Sequence, residues 1–221
     1  MNKTLIINAH PKIDDTSSVS VQVFNHFLKA YKQLIPDSEV VEQINLYSDL
    51  VPMIDKTVLS AWEKQRKEQE LTSQEQKVTE RMSEILKQFK RANTYIIVLP
   101  LHNFNIPSKL KDYMDNIMIA RETFKYTENG SVGLLKDGRR MLVIQASGSI
   151  YTNQDWYAEV DYSNKYLKSM FNFLGIEDYQ TIRAQGTALL DLNEVLQKAY
   201  KEAEEAASRL APKMKTVLNE I

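Results

Sequence analysis

The chain has 221 residues, 43% hydrophobic and 26% charged, the balance of an ordinary globular protein with enough length for one sizeable core. Lys and Arg number 28 against 29 Asp and Glu, so no net field favours nucleic acid or another polyanion. With no cysteine, a disulfide framework, a thiolate nucleophile and cysteine metal sites are excluded, and any redox chemistry must be borrowed.

In chain order, the apolar run at residues 5–8 has the length of a strand and is followed by Ser17-Ser18-Val19-Ser20, which opens a helical pattern over 19–34. Hydroxyls and orphan amides at a helix start suit a phosphate, so Ser18 and Ser20 are candidates to hold one without a glycine loop. His10 lies between the two elements, where it either donates to the same phosphate or caps the turn. His26, alone in the helix, reads as structural. Three scattered histidines give no metal-ligand spacing, and no metal is expected.

A second strand is expected at 40–46. The stretch 55–76 reads as an inserted, charged surface helix around Trp62, and helical periodicity resumes over 72–89. The third strand, 95–99, runs into Pro100-Leu101-His102-Asn103-Phe104-Asn105-Ile106-Pro107, which offers amides, two carboxamides and an aromatic ring. That mixture suits the edge and face of a flat heterocycle, although a plain strand-to-helix turn with Pro107 at the helix start explains it too.

A helix is expected over 108–119, then a β-hairpin within 122–137, turned by Glu128-Asn129-Gly130 and overhanging the ligand edge. The fourth strand, 141–145, ends in Ala146-Ser147-Gly148-Ser149-Ile150-Tyr151, where the glycine permits close approach of a ligand. A helix over 163–173, a weak strand over 179–183 and a terminal helix over 193–217 complete the pattern. Strands that read as continuous apolar runs expect helices on both sheet faces, hence a three-layer α/β fold with a five-stranded parallel sheet in order 2-1-3-4-5, one domain over 1–221. No stretch approaches 18 apolar residues and the opening is not leader-like, so a cytoplasmic location is expected, with no membrane and no nucleic acid among the partners.

Taken together, Ser18-Val19-Ser20, the 100–107 segment, the 123–134 hairpin and Ala146-Ser147-Gly148-Ser149 resemble the FMN-dependent NADH:quinone oxidoreductases, also called FMN-dependent azoreductases. The resemblance implies a flavodoxin-like homodimer with one FMN per subunit and active sites at the dimer interface. It implies NADH or NADPH as donor, and ping-pong two-electron reduction of quinones and aromatic azo compounds. It places the phosphate at Ser18, Val19 and Ser20 with His10 nearby, and the isoalloxazine at Leu101, His102, Asn103 and Phe104. Ala146, Ser147, Gly148 and Ser149 then line the ring edge. Phe124, Tyr126, Tyr151 and Phe173 are the candidate aromatic walls for planar substrates, some reaching across the dimer, although Phe124, Tyr126 and Phe173 read equally as core residues, and no side chain is expected to act as catalyst in place of the flavin. Relatives often carry an aromatic residue where His102 stands and a second glycine where Ser149 stands. Two rivals share the fold: an NADPH-dependent FMN reductase and a flavodoxin-type electron carrier. The near-zero net charge, the hairpin and the 55–76 insertion count against the carrier.

Overall fold

The structure is a computed structural model that describes residues 3–36 and 39–212. Its elements run β1 (Lys3–Asn8), α1 (Val19–Leu34), β2 (Val40–Asn45), α2 (Lys56–Arg66), α3 (Ser73–Arg91), β3 (Thr94–Pro100) and α4 (Ser108–Ile117). They continue through β4 (Phe124–Thr127), β5 (Gly130–Gly133), β6 (Arg140–Ser147), α5 (Trp156–Glu159), α6 (Tyr162–Leu174), β7 (Asp178–Gln185) and α7 (Leu192–Leu210).

The main sheet has the order β2-β1-β3-β6-β7 with every neighbouring pair parallel. With the antiparallel hairpin β4–β5 set aside, this is the expected 2-1-3-4-5 order. Alternate residues of one strand feed two separate cores. Leu5, Ile7, Tyr95 and Ile97 pack with Phe89, Tyr113 and Phe171 on the face covered by α3, α4 and α6. Ile6, Ile96 and Val98 pack with Phe24, Phe27 and the alanines of α7 on the face covered by α1 and α7. Ala199, Ala203, Ala206 and Ala207 are all buried, and their small side chains let α7 lie close against its neighbours.

Three sequence expectations change. Residues 55–76 are not one helix: α2 stops at Arg66 and α3 starts at Ser73, each with its own cap. Asp55 accepts from the Thr57 and Val58 amides, while Thr72 and Glu75 form a reciprocal capping box. The terminal helix does not run to 217. It ends at Leu210 with Ala211 as its C-cap just before Pro212, since the residue preceding proline is driven out of helical geometry; residues 213–217 of the expected helix lie outside the described residues. The short helix α5 has no counterpart among the expected elements.

The third change concerns the hairpin. Its base is tied to the N-terminal ends of the strands, not to the ligand edge: Glu122 pairs with Lys90 just before β3, and the Leu135 amide donates to Leu174 at the end of α6. The hairpin therefore does not overhang the C-terminal edge of its own sheet. Gly130, at φ +108°, turns it, and Gly133 is pressed so tightly on α6 that a Cβ would overlap the Leu174 backbone.

Glu75 binds α2 to α3. Its carboxylate accepts from Lys64 Nζ and Ser60 Oγ, both at 2.7 Å, and from the Thr72 amide, so its pKa falls to about 2 with Lys64 the largest cause. Because an unperturbed glutamate titrates near 4.5, this contribution is present above that pH and fades as pH falls towards 2. Glu75→Gln should lower the midpoint of thermal unfolding at pH 6 and flatten the acid dependence below pH 4.5, followed by circular dichroism. Gly133→Ala should destabilise by about 1–3 kcal/mol in urea titrations through overpacking. Gly148→Ala, whose Cβ would only touch the Ala188 Cβ at 3.5 Å, should cost much less.

Candidate functional site

Parallel pairing gathers the C-terminal ends of β1, β3 and β6 on one edge, where open parallel sheets hold ligands in a crevice. At the end of β1, the His10 amide donates to Asn8 Oδ1 at 2.9 Å, which turns the chain towards α1. Ser18 is the N-cap of α1, yet its hydroxyl makes no capping bond. It meets His10 Nε2 at 2.9 Å and Ser20 Oγ at 3.3 Å. The first-turn amides that a helix cannot satisfy internally are thus not taken by Ser18, and the first turn carries no acid. Such a helix start is a candidate cradle for an anion. Ser20 is 0% exposed, so in this conformation it communicates with the cradle only through Ser18, and Val19 leans its side chain on the core.

Burial lowers the His10 pKa, partly offset by the Lys12 carbonyl 2.7 Å from Nδ1 and by Asp15, while His102 and Lys12 push it further down. Burial thus disfavours the imidazolium in the ligand-free site.

The loop after β3 is a tight turn. His102 and Asn105 exchange both backbone hydrogen bonds, at 3.0 and 2.8 Å, and the two residues between them, Asn103 and Phe104, have φ of 46° and 66°. Two successive left-handed residues are the signature of a type I′ turn, which usually takes Asn-Gly. With Phe in the glycine position the turn is strained by about 1–2 kcal/mol. Part of the expected donor set is spent internally. The Leu101 amide donates to Ala146, and the Asn105 carboxamide accepts the Ile106 amide. The exposed His102 and Asn103 side chains remain available to a ligand.

The loop after β6 is similarly braced. Ser147 Oγ donates to the Ser149 carbonyl at 2.9 Å, and the amides of Gly186, Thr187 and Ala188 donate to Ser149, Ser147 and Gly148. Thus the loop after β7, which carries no motif of its own in the sequence, holds this one. Nothing within the chain demands glycine at 148, whose φ is not left-handed.

The candidate aromatic residues fall into two groups. Phe124 packs on Tyr126 and Phe173 with ring centroids 5.4 and 5.1 Å apart, at the hairpin and the end of α6, away from the crevice of the same chain. Tyr151 does lie at the crevice, 6.5 Å from Phe104, but it is only 6% exposed. Two neighbours are missing from the sequence expectations: Trp156, edge-to-face with Phe104 at 5.3 Å, and Tyr157, 5.5 Å from Tyr151. The signal available was the density of aromatic residues between Tyr151 and Tyr162 in an otherwise polar stretch. The carbonyl of strained Phe104 accepts the Ser163 amide, and Ser163 Oγ donates to buried Gln145 at 2.6 Å. The start of α6 is fixed in turn by Asp161, whose carboxylate lies 2.8 Å from Arg183 on β7.

The chain chemistry fits a flavin mononucleotide: an acid-free helix start with uncapped first-turn amides for a phosphate, and a turn with an aromatic ring and exposed side chains for a planar head. The fold and this crevice define a flavodoxin-like protein, and residues 2–209 match that family, described as having a flavodoxin-like fold. The chain is 82% identical over 213 residues to an FMN-dependent NADH:quinone oxidoreductase 1 of Bacillus cereus, covering 96% of this chain and 100% of the relative. It is 41% identical to another of that name from Lactiplantibacillus plantarum, over 95% and 99% of the two chains. A crystal structure of an FMN-dependent NADH-azoreductase from Bacillus anthracis in complex with FMN superposes with a TM-score of 0.95 at 82% identity, over 96% of this chain and 100% of that one. The chain belongs to the family of FMN-dependent NADH:quinone oxidoreductases.

A phosphate dianion beside His10 would favour the imidazolium that the ligand-free site disfavours, so binding takes up a proton. Affinity for FMN should therefore weaken as pH rises from about 6 to 8, above the second phosphate ionisation. Fluorescence titrations should show that slope in the wild type and its loss in His10→Asn, with riboflavin, which lacks the phosphate, insensitive throughout.

Proposed function

We propose that the C-terminal crevice of this chain holds FMN, phosphate at the start of α1 and ring between the turns after β3 and β6, and that it passes electrons from NADH or NADPH to quinones and aromatic azo compounds. The strongest support is the Ser18 hydroxyl, which stands at an N-cap without capping and faces His10. When bound, FMN supplies hydride acceptance and two-electron delivery; the chain supplies placement. Ser18, with the amides of Val19 and Ser20, would bind the phosphate, and His10, bonded to Ser18, would stand beside it. The Asn103–Phe104 turn and the Ala146 to Ser149 loop would hold the flavin ring. Donor and acceptor use the same crevice in turn, which is the physical basis of ping-pong exchange.

The displaced hairpin bears on assembly. Phe124, Tyr126 and Phe173 cannot wall the crevice of their own chain, so their proposed substrate role requires a second copy whose hairpin reaches it, as in a symmetric homodimer. Tyr126 is 74% exposed, as a side chain that reaches a partner would be in an isolated chain.

The purified protein mixed with FMN should show a bound-flavin spectrum that NADH bleaches without air and benzoquinone restores. Failure to bleach sinks the reading. Ser18→Ala with Ser20→Ala should raise the dissociation constant for FMN about tenfold or more, and unchanged retention removes these residues from the phosphate site.

A further inference from the structure

We infer that Trp156 is a specificity-determining residue: its indole forms the own-chain wall of the acceptor pocket and selects extended planar acceptors over single-ring ones. The proposal rests on the flavin position proposed above.

Trp156 opens α5, a single turn whose cap is Asp155 and whose last carbonyls, of Ala158 and Glu159, accept Lys165 Nζ at 2.8 and 2.7 Å. The strap between β6 and α6 is therefore pinned at both ends, by Lys165 on one side and by the Tyr151 amide on Gln185 at 2.9 Å on the other. Trp156 is nevertheless 55% exposed. One ring edge or face of Trp156 is used against Phe104, and Tyr157 lies 5.3 Å away, so the indole is oriented rather than free.

Phe104 connects this side chain to the chemistry. It occupies the strained position of the turn proposed to hold the flavin ring, and its own ring is half-buried between Tyr151 and Trp156. The exposed surface of Trp156 thus borders the crevice, where an indole offers a rigid π-face to another flat ring. Tyr151, the aromatic candidate visible in the sequence, is buried and serves as the floor on which this wall stands. A two-ring quinone or a diaryl azo compound extends beyond a single ring lying over the flavin, and that extension is what the indole would contact.

Two measurements test this on the FMN-loaded protein. Trp62, on α2, is the chain's other tryptophan, so Trp62→Phe assigns the two indole N–H resonances in 15N spectra. Adding 2-methyl-1,4-naphthoquinone to the oxidised enzyme should shift the Trp156 resonance and leave that of Trp62 in place; a stationary Trp156 resonance overturns the proposal and needs no substitution at the site. In turnover, Trp156→Ala should raise KM for the naphthoquinone about three- to tenfold relative to KM for benzoquinone, and Trp156→Phe should restore most of it. An unchanged ratio overturns it as well. Wild-type protein that neither binds FMN nor bleaches with NADH would sink the oxidoreductase reading instead, a separate outcome.

Discussion

The structure depends on β1, β3 and β6 being covered on both faces. Their side chains enter two cores, alternately facing α3, α4 and α6 or α1 and α7, and their backbone groups are consumed by neighbouring strands. Such strands have nowhere to show a polar group except at their ends. Because all are parallel, the ends that lead into helices with positive N-termini fall on one edge, and a ligand crevice there is a consequence of the sheet's direction.

Within that crevice, function is a matter of which donors the fold leaves unspent. Leu101, Asn105 and Ser147 use their polar groups to hold the loops together, while Ser18 leaves the first-turn amides of α1 uncapped and His102 and Asn103 are exposed. The strain of Phe104 in a left-handed position persists because three independent groups hold it: the His102–Asn105 bridge, the Ser163 amide and the aromatic contacts of Trp156 and Tyr151. A turn held in this way is preorganised, so a ligand docking on it would spend less of its binding energy on ordering.

The hairpin follows a different logic. Gly133 seats it on the end of α6 and Glu122 ties it to α3, at the far end of the sheet from the crevice. Within its aromatic cluster Phe124 is buried and Phe173 packs partly buried against the core, so Tyr126, 74% exposed, is the ring the hairpin presents outward. The wall made by the chain itself comes from the strap before α6, so the two sides of an acceptor site have different origins and separate constraints.

Much of this could be read in the sequence. The apolar runs gave the strands of the central sheet to within two or three residues, and the order of elements implied the parallel arrangement, because periodicity is a property of adjacent residues. Ser18 was legible for the same reason: a hydroxyl at a helix start is a local signal. What tertiary structure decided were contacts between distant segments. That Ser163 supports Phe104, that the 186–188 loop braces 147–149, that Trp156 stands at the crevice and that the hairpin does not, all depend on where crossovers carry the chain across the sheet. No local pattern encodes them, because each is set by the packing of residues tens of positions apart.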